Sequence, residues 1–324
     1  MGRCILGIDL GGTKVSAAAM DPKGRIIGRA RAKTGAWRDD EEVFATIART
    51  GYRAIERAGI ESSDLAAVGI GAPGPLDPGT GYIIESSNLK FKNFPLGPRL
   101  AEEFAVPTIV ENDVNAGVYG EFKAGAARGA RDVLGVFIGT GIGGGLILDG
   151  RLYHGASLNA GEAGHIIIEA GGPRCGCGNR GCLEALASRV AITRDVGRAI
   201  KRGRKTVLAR HLKKETDLLS SQLLKSAYDA DDAVVVKVMN RAADSIGVGL
   251  GSLVNLLGPE MIVLGGGVIE AMGKGFVRRI DDATRKIAFE ICSRDLKIVR
   301  AELGDDAGVI GAAMLAREST AHPT

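Results

Sequence analysis

Residues 161–184 read GEAGHIIIEAGGPRCGCGNRGCLE, and this segment restricts the fold more than any other. Cys175, Cys177 and Cys182 are three of the five cysteines in the chain, spaced C-x-C-x4-C, and His165 precedes the first of them by ten positions. Three thiolates and one imidazole make the donor set of a tetrahedral zinc site; protein fills all four positions, so the metal is expected to be structural. Gly176, Gly178 and Gly181 leave the backbone free to bend until neighbouring sulfurs converge. A reduced, metal-free cysteine loop is the alternative. Clamping the loop also fixes Glu162, three residues before His165, and Glu184, two after Cys182. Two anchored acceptors of this kind suit a polyol or a sugar.

At 324 residues the chain fits two domains of ordinary size, and with 45% hydrophobic residues each can bury an interior. Its 48 glycines point to many tight turns and close backbone approaches. A formal net charge of +4 gives no argument for a nucleic-acid or membrane partner. The local exception is the basic stretch 194–214, where Asp195 is the single acid. No aromatic residue interleaves it and its charges alternate with apolar residues at helical spacing, so it reads as a solvated helix face rather than a phosphate contact. The opening MGRCILGIDLGGTK has an apolar run too short, and too soon followed by Asp9, for a secretion signal. No stretch approaches the length of a membrane span. Thiols kept reduced for zinc agree with a cytoplasmic location.

Residues 4–8 and 15–20 read as strands joined by DLGGTK, a hairpin whose turn presents backbone amides. Gly11 and Gly12 leave room for an anion, Thr13 adds a hydroxyl and Lys14 a charge, while Asp9 at the strand end is placed to hold a water on a magnesium ion. An ordinary glycine turn is the alternative. RIIGRARA completes a meander, and Asp39 with Glu42 opens a helix whose stripe Val43, Ile47, Ile55 and Ala58 ends at Gly59. Residues 65–70 form a buried strand leading into GAPGPLDPGTG, read as a loop, with Asn88 in the loop that follows. A strand at 108–111 precedes a helix from about Val114, with Asn112 or Asp113 at its cap. A carboxylate there serves either as a cap or as a general base.

VLGVFIGTGIGGGLILDGRL then repeats the layout of the opening hairpin, and two such turns suit the two sides of a polyphosphate. Gly139, Gly141 and Gly144 also fit G-x-G-x-x-G, but Leu146, Ile147 and Leu148 run into Asp149-Gly150, so a second strand follows and a dinucleotide fold is excluded. Residues 232–257 have the helical period up to Pro259, 261–264 form a strand, and GGGV from Gly265 opens a helix whose amides suit a nucleotide. A strand at 296–300, a helix from about 305 to 317 and an unstructured STAHPT tail complete the reading.

Jointly these motifs resemble the ROK family (repressors, open reading frames and sugar kinases), particularly its bacterial glucokinases, from Asp9-Leu10-Gly11-Gly12-Thr13-Lys14 to Gly311. CGCGNRGCLE is highly specific, whereas DLGGT and GTGIGGG recur throughout the wider actin-like sugar kinase group. The resemblance implies an α/β, actin-like (ribonuclease H-like) two-domain sugar kinase fold with ATP and the hexose in a cleft between the domains. Residues 1–113 plus about 305–324 would form a smaller N-terminal domain, and 114–304 a larger C-terminal domain containing the zinc loop 165–182. It implies an ATP-dependent kinase for the 6-hydroxyl of glucose, with Mg2+ and structural Zn2+, acting as a homodimer or higher homo-oligomer without nucleic acid or membrane.

Carried over by position, Asp113 resembles the catalytic base, and Asn88, Asn112, Asp113, Glu162, His165 and Glu184 the hexose contacts. His165 also resembles a zinc ligand, with Cys175, Cys177 and Cys182. Asp9, Gly11, Gly12, Thr13, Lys14, Thr140 and Gly141 resemble the phosphate side of the ATP site, and Gly265, Gly266 and Gly267 its adenosine side. Two positions near the sugar depart from the pattern: Phe91 stands where a tryptophan is expected, and Leu186 where an aromatic residue is frequent. N-acetylmannosamine, N-acetylglucosamine, fructose and mannose are the competing acceptors. A repressor of the family carries a winged helix-turn-helix ahead of DLGGT, for which the residues before Asp9 leave no room. A zinc-ribbon docking module leaves both glycine hairpins unexplained.

Overall fold

The computed structural model describes residues 3–35, 39–86, 89–214 and 217–321. The chain divides into two compact units, Met1–Gly129 with Arg151–Ala160 and Asp305–Thr324, and Ala130–Gly150 with Gly161–Gly304.

In the first unit β1 (Cys4–Leu10) and β2 (Lys14–Met20) form the expected hairpin, with Leu10 opposite Val15, and β3 (Ile26–Lys33) extends the meander. Helix α1 (Asp40–Ala58) begins where the Asp39 carboxylate accepts the Glu42 amide at 2.8 Å, and it stops at Gly59, whose φ of 67° favours glycine. Strand β4 (Leu65–Ala72) lies parallel to β1. The Gly/Pro segment read as a loop contributes instead to a small antiparallel sheet of β5 (Leu76–Asp77), β6 (Tyr82–Glu85) and β7 (Lys92–Phe94). Helix α2 (Leu96–Phe104) escapes a sequence reading because Gly97 and Pro98 occupy its first turn, where proline is tolerated. Strand β8 (Thr108–Asn112), parallel to β4, and helix α3 (Asp113–Ala124) follow. The main sheet has the order β3-β2-β1-β4-β8.

The second unit repeats the hairpin with β9 (Val133–Ile138) and β10 (Ile142–Leu148); after β11 (Arg151–Leu152), in the segment assigned to the first unit, the chain continues through the cysteine loop to α4 (Leu183–Ala187). Helix α5 (Arg189–Lys201) turns Ile192 and Val196 inward; of the basic stretch read as a helix face, Arg194, Arg198 and Lys201 lie on it, while Arg202, Arg204, Lys205, Arg210 and Lys213 are past its end. Helix α6 (Ser221–Asp229) precedes α7 (Ala233–Leu257), which Asp232 caps and which Gly258 ends, φ 57°, one residue before Pro259. Gly247 and Gly251 give α7 its close packing: a Cβ on either would collide with Ala283 or Ile287. Strand β12 (Met261–Gly265), α8 (Gly267–Met272), α9 (Lys274–Arg285), α10 (Glu290–Ser293) and β13 (Lys297–Arg300) complete the unit. Its strands run in the order β10-β9-β12-β13, with β9, β12 and β13 parallel. The core gathers Leu134, Val136 and Ile138 against Ile246 and Leu250, each fully buried side chain contributing about 1.5–3 kcal/mol.

Helix α11 (Ala307–Ala321) returns the chain to the first unit; the tail read as unstructured is helical as far as Ala321. Two glycines paired across β1 and β4 admit it, since a Cβ on Gly7 would strike the Val309 carbonyl and one on Gly69 that of Ala312. Gly311 likewise meets the Ala116 carbonyl, seating α11 on α3 and drawing α3 into this unit, beyond residue 113. No described helix is long and apolar enough to cross a membrane.

Candidate active site

Asp9, Gly71 and Glu111 stand in one row across β1, β4 and β8, at the carboxyl ends of the parallel strands, where α/β sheets bind ligands. The cap that opens α3 is Asn112: its Oδ1 accepts the amides of Val114 at 2.9 Å and Asn115 at 3.2 Å. Asp113 is therefore the first helical residue, where its Oδ1 shares the Val114 amide with Asn112, at 2.9 Å. Burial first, then the negative charge of Asp113, pushes the Asp9 carboxyl up to about 7, against the pull of Lys14 and Arg31. The two acids thus share one electrostatic site.

Gly308, in the first turn of α11, faces that site, and a Cβ there would stand 2.8 Å from Asp9 Cγ. Lys14 Nζ bonds Asp305 Oδ1 at 2.6 Å, so its charge is engaged within the unit. The turn between them is held by Gly11 N to Lys14 O at 2.9 Å and by the Thr34 hydroxyl donating to Gly11 O at 2.6 Å, leaving Gly12 and Thr13 exposed at the tip. Thr34, Asp305 and Gly308 were not singled out by sequence; the acid pair and glycine of GDDAG were the available signal. Asn88 lies outside the described residues.

In the second unit His165, Cys175, Cys177 and Cys182 place their ligand atoms within 4.8 Å of one another. Zinc bonds of about 2.3 Å to sulfur and about 2.0 Å to nitrogen, at tetrahedral angles, set two sulfurs about 3.8 Å apart and a sulfur and a nitrogen about 3.6 Å apart. The Sγ atoms of Cys177 and Cys182 are separated by 3.7 Å, and Cys175 Sγ lies 3.6 Å from His165 Nδ1, so the donor set fits the ion. Burial pushes the Cys175 thiol up to about 12, and a bound cation is what makes such a thiolate tenable. Gly178 (φ 96°) and Gly181 (φ 78°) supply the bends, whereas Gly176 has no positive φ and open space beside it.

With Nδ1 turned to the cysteines, His165 Nε2 faces Glu162, whose Oε2 is 3.9 Å away. Glu184 joins the cluster to the second glycine turn: Oε1 lies 3.7 Å from Cys175 Sγ and Oε2 accepts the Ile142 amide at 2.9 Å. Two of the three glycines of G-x-G-x-x-G have their cause here, while Gly139 has open space beside it. A Cβ on Gly141 would overlap Glu184 Oε2, and one on Gly144 would meet the Gly161 carbonyl and Ala163. Thr140 Oγ1, at the exposed tip, accepts from Arg189 Nη2 at 2.7 Å. Gly265 and Gly266 are demanded by β9, where a Cβ would stand 2.8 Å from the Phe137 ring or 2.6 Å from the Ile138 carbonyl; Gly267 meets nothing closer than Ser221 Oγ at 3.6 Å. The two departures are core residues: Phe91 stacks on Phe94 with centroids 4.4 Å apart, and Leu186 is buried.

A profile described as ROK family matches residues 5–319. A glucokinase of Halalkalibacterium halodurans is 35% identical over 98% of this chain and 96% of its own length. Among solved structures, the ROK hexokinase from Thermus thermophilus superposes with a TM-score of 0.82 at 34% identity, covering 98% of this chain and 99% of that one. The ROK family glucokinase from Streptomyces griseus, in complex with glucose and AMPPNP, gives 0.79 at 31% identity over 97% and 99%. The fold is the actin-like one of these sugar kinases. The chain belongs to the ROK family.

Proposed function

We propose that this protein is an ATP-dependent hexokinase that phosphorylates the 6-hydroxyl of glucose, with Asp113 as general base. It is a sugar-kinase phosphotransferase. The observation that carries the finer reading is the place of Asp113 at the first position of α3, with its charge acting on Asp9 at the strand ends. In the transfer Asp113 takes the proton of the sugar's 6-hydroxyl, the new O–P bond forms, the bond from the γ-phosphorus to the bridging oxygen breaks, and ADP leaves. Asn88, Asn112, Glu162, His165 and Glu184 hold the sugar hydroxyls. Gly11, Gly12, Thr13, Lys14, Thr140 and Gly141 meet the phosphates, and Gly267, with Gly265 and Gly266, the adenosine. Asp9 fits the water shell of a magnesium ion, whose charge would offset the field of the two acids. Zinc held by His165, Cys175, Cys177 and Cys182 would keep His165 and Glu184 in place, and the three cysteines take no part in the transfer. A homodimer in the cytoplasm belongs to the same reading, and sedimentation tests its stoichiometry.

An ATP-coupled assay across glucose, mannose, fructose, N-acetylglucosamine and N-acetylmannosamine is the test. A kcat/KM for glucose at least about tenfold above every other sugar, a difference of about 1.4 kcal/mol, supports the reading; preference for an N-acetylhexosamine overturns it.

A further inference from the structure

Beside Asp113 sits a buried carboxylate that the transfer does not use. Glu111 is 3% exposed, and its Oε1 accepts both the Asn112 amide at 2.9 Å and the Asn115 side-chain amide at 3.0 Å. Its Oε2 lies 2.6 Å from His154 Nε2. A carboxylate only accepts, so Nε2 of His154 carries the proton in this bond. The bond to Glu111 also raises the affinity of His154 for a second proton, against the opposite effect of burial. Asn115 turns its Nδ2 to Glu111, and its Oδ1 is buried with no hydrogen-bond partner among the described residues. Asn112, just before Asp113, is thus tied to Glu111 through its amide, and Asn115, two residues after Asp113, through its side chain.

We propose that Glu111 and His154 are positioning residues that hold the Asn112–Asp113 turn in the geometry needed for proton abstraction. His154 fixes the rotamer of Glu111 from one side, and Glu111 fixes both ends of the turn from the other. The inference rests on the reading of Asp113 as the base. His154 also ties the segment Arg151–Ala160 to β8 within the first unit, and that segment runs on in sequence to Glu162.

Steady-state kinetics and melting curves of His154→Ala, His154→Gln and Asp113→Asn test it. Misplacing a reacting group by about 1 Å costs on the order of 100-fold, so His154→Ala should lower kcat about 10- to 100-fold with the hexose KM within about threefold. Glutamine can donate to Glu111, and His154→Gln should recover most of the loss. A kcat for His154→Ala within about twofold of wild type, or equal damage from both substitutions, overturns the inference. If His154→Ala melts early, Glu111→Gln decides: a drop in kcat at an unchanged melting temperature supports the pair, and an unchanged kcat overturns it. Normal turnover by Asp113→Asn would remove the base reading and this inference together; an inactive Asp113→Asn beside a fully active His154→Ala would remove this inference alone.

Discussion

Replacing Asp9 by asparagine separates what this residue costs the fold from what it does in the site. In the folded chain burial and the charge of Asp113 hold its carboxyl at about 7, against 3.8 for an ordinary aspartate. Between those values the folded state keeps a proton that the unfolded chain has lost. The pKa is raised on folding, so stability is highest below the unfolded value, falls by about 1.4 kcal/mol per pH unit as pH rises, and has lost about 4 kcal/mol above pH 7. Asparagine has the same shape without the charge. Asp9→Asn should therefore be more stable than wild type by about 2–4 kcal/mol at pH 8, an advantage that shrinks by about 2–3 kcal/mol at pH 5. At about 3 °C per kcal/mol, the melting temperature of the first unit should rise by about 6–12 °C at pH 8. Calorimetric scans at both pH values, without added magnesium or chelator, read the difference, and the stabilised variant should have lost turnover. An equal shift at the two pH values, or a lower melting temperature at pH 8, would refute the claim that burial and Asp113 act on this carboxyl.

Metal analysis of the purified protein should find one zinc per chain. Cys182→Ser should lose it, at a cost of about 3 kcal/mol or more to the second unit, and raise the KM for the sugar; full zinc content in that variant would contradict the ligand assignment. Gly308→Ala places a methyl 2.8 Å from Asp9 Cγ and should cost about 1–3 kcal/mol while lowering kcat; turnover and melting temperature together check this, and an unaffected kcat would detach α11 from the site.

The site was most legible where chemistry demands particular residue types. The C-x-C-x4-C spacing with His165 located the cysteine cluster because few other uses suit three thiols and an imidazole. The repeated hairpin was legible because strand, three-residue glycine turn and strand recur with the same layout, in β1–β2 and again in β9–β10. Sequence could not decide between Asn112 and Asp113 as the cap, since both side chains suit that position and only the direction of the helix chooses. Helix α2 was hidden by Gly97 and Pro98, and the small sheet β5–β7 by turn residues that separate very short strands. Long-range partners left no local trace. Asp9 and Gly308, or Glu111 and His154, are distant in sequence and meet only in the folded unit. Gly141, Gly265 and Gly266 were read as ligand contacts, yet each is also set by packing, against Glu184, Phe137 and Ile138 respectively.

The account turns on Asp113, and one measurement bears on it most directly: the single-turnover rate of Asp113→Asn with saturating ATP and glucose, alongside its affinity for glucose by calorimetry. A general base contributes about 100- to 10,000-fold, so phosphoryl transfer should slow by at least about 100-fold while glucose binding stays within about fivefold of wild type. Transfer at near wild-type rate, with glucose bound normally, would contradict it.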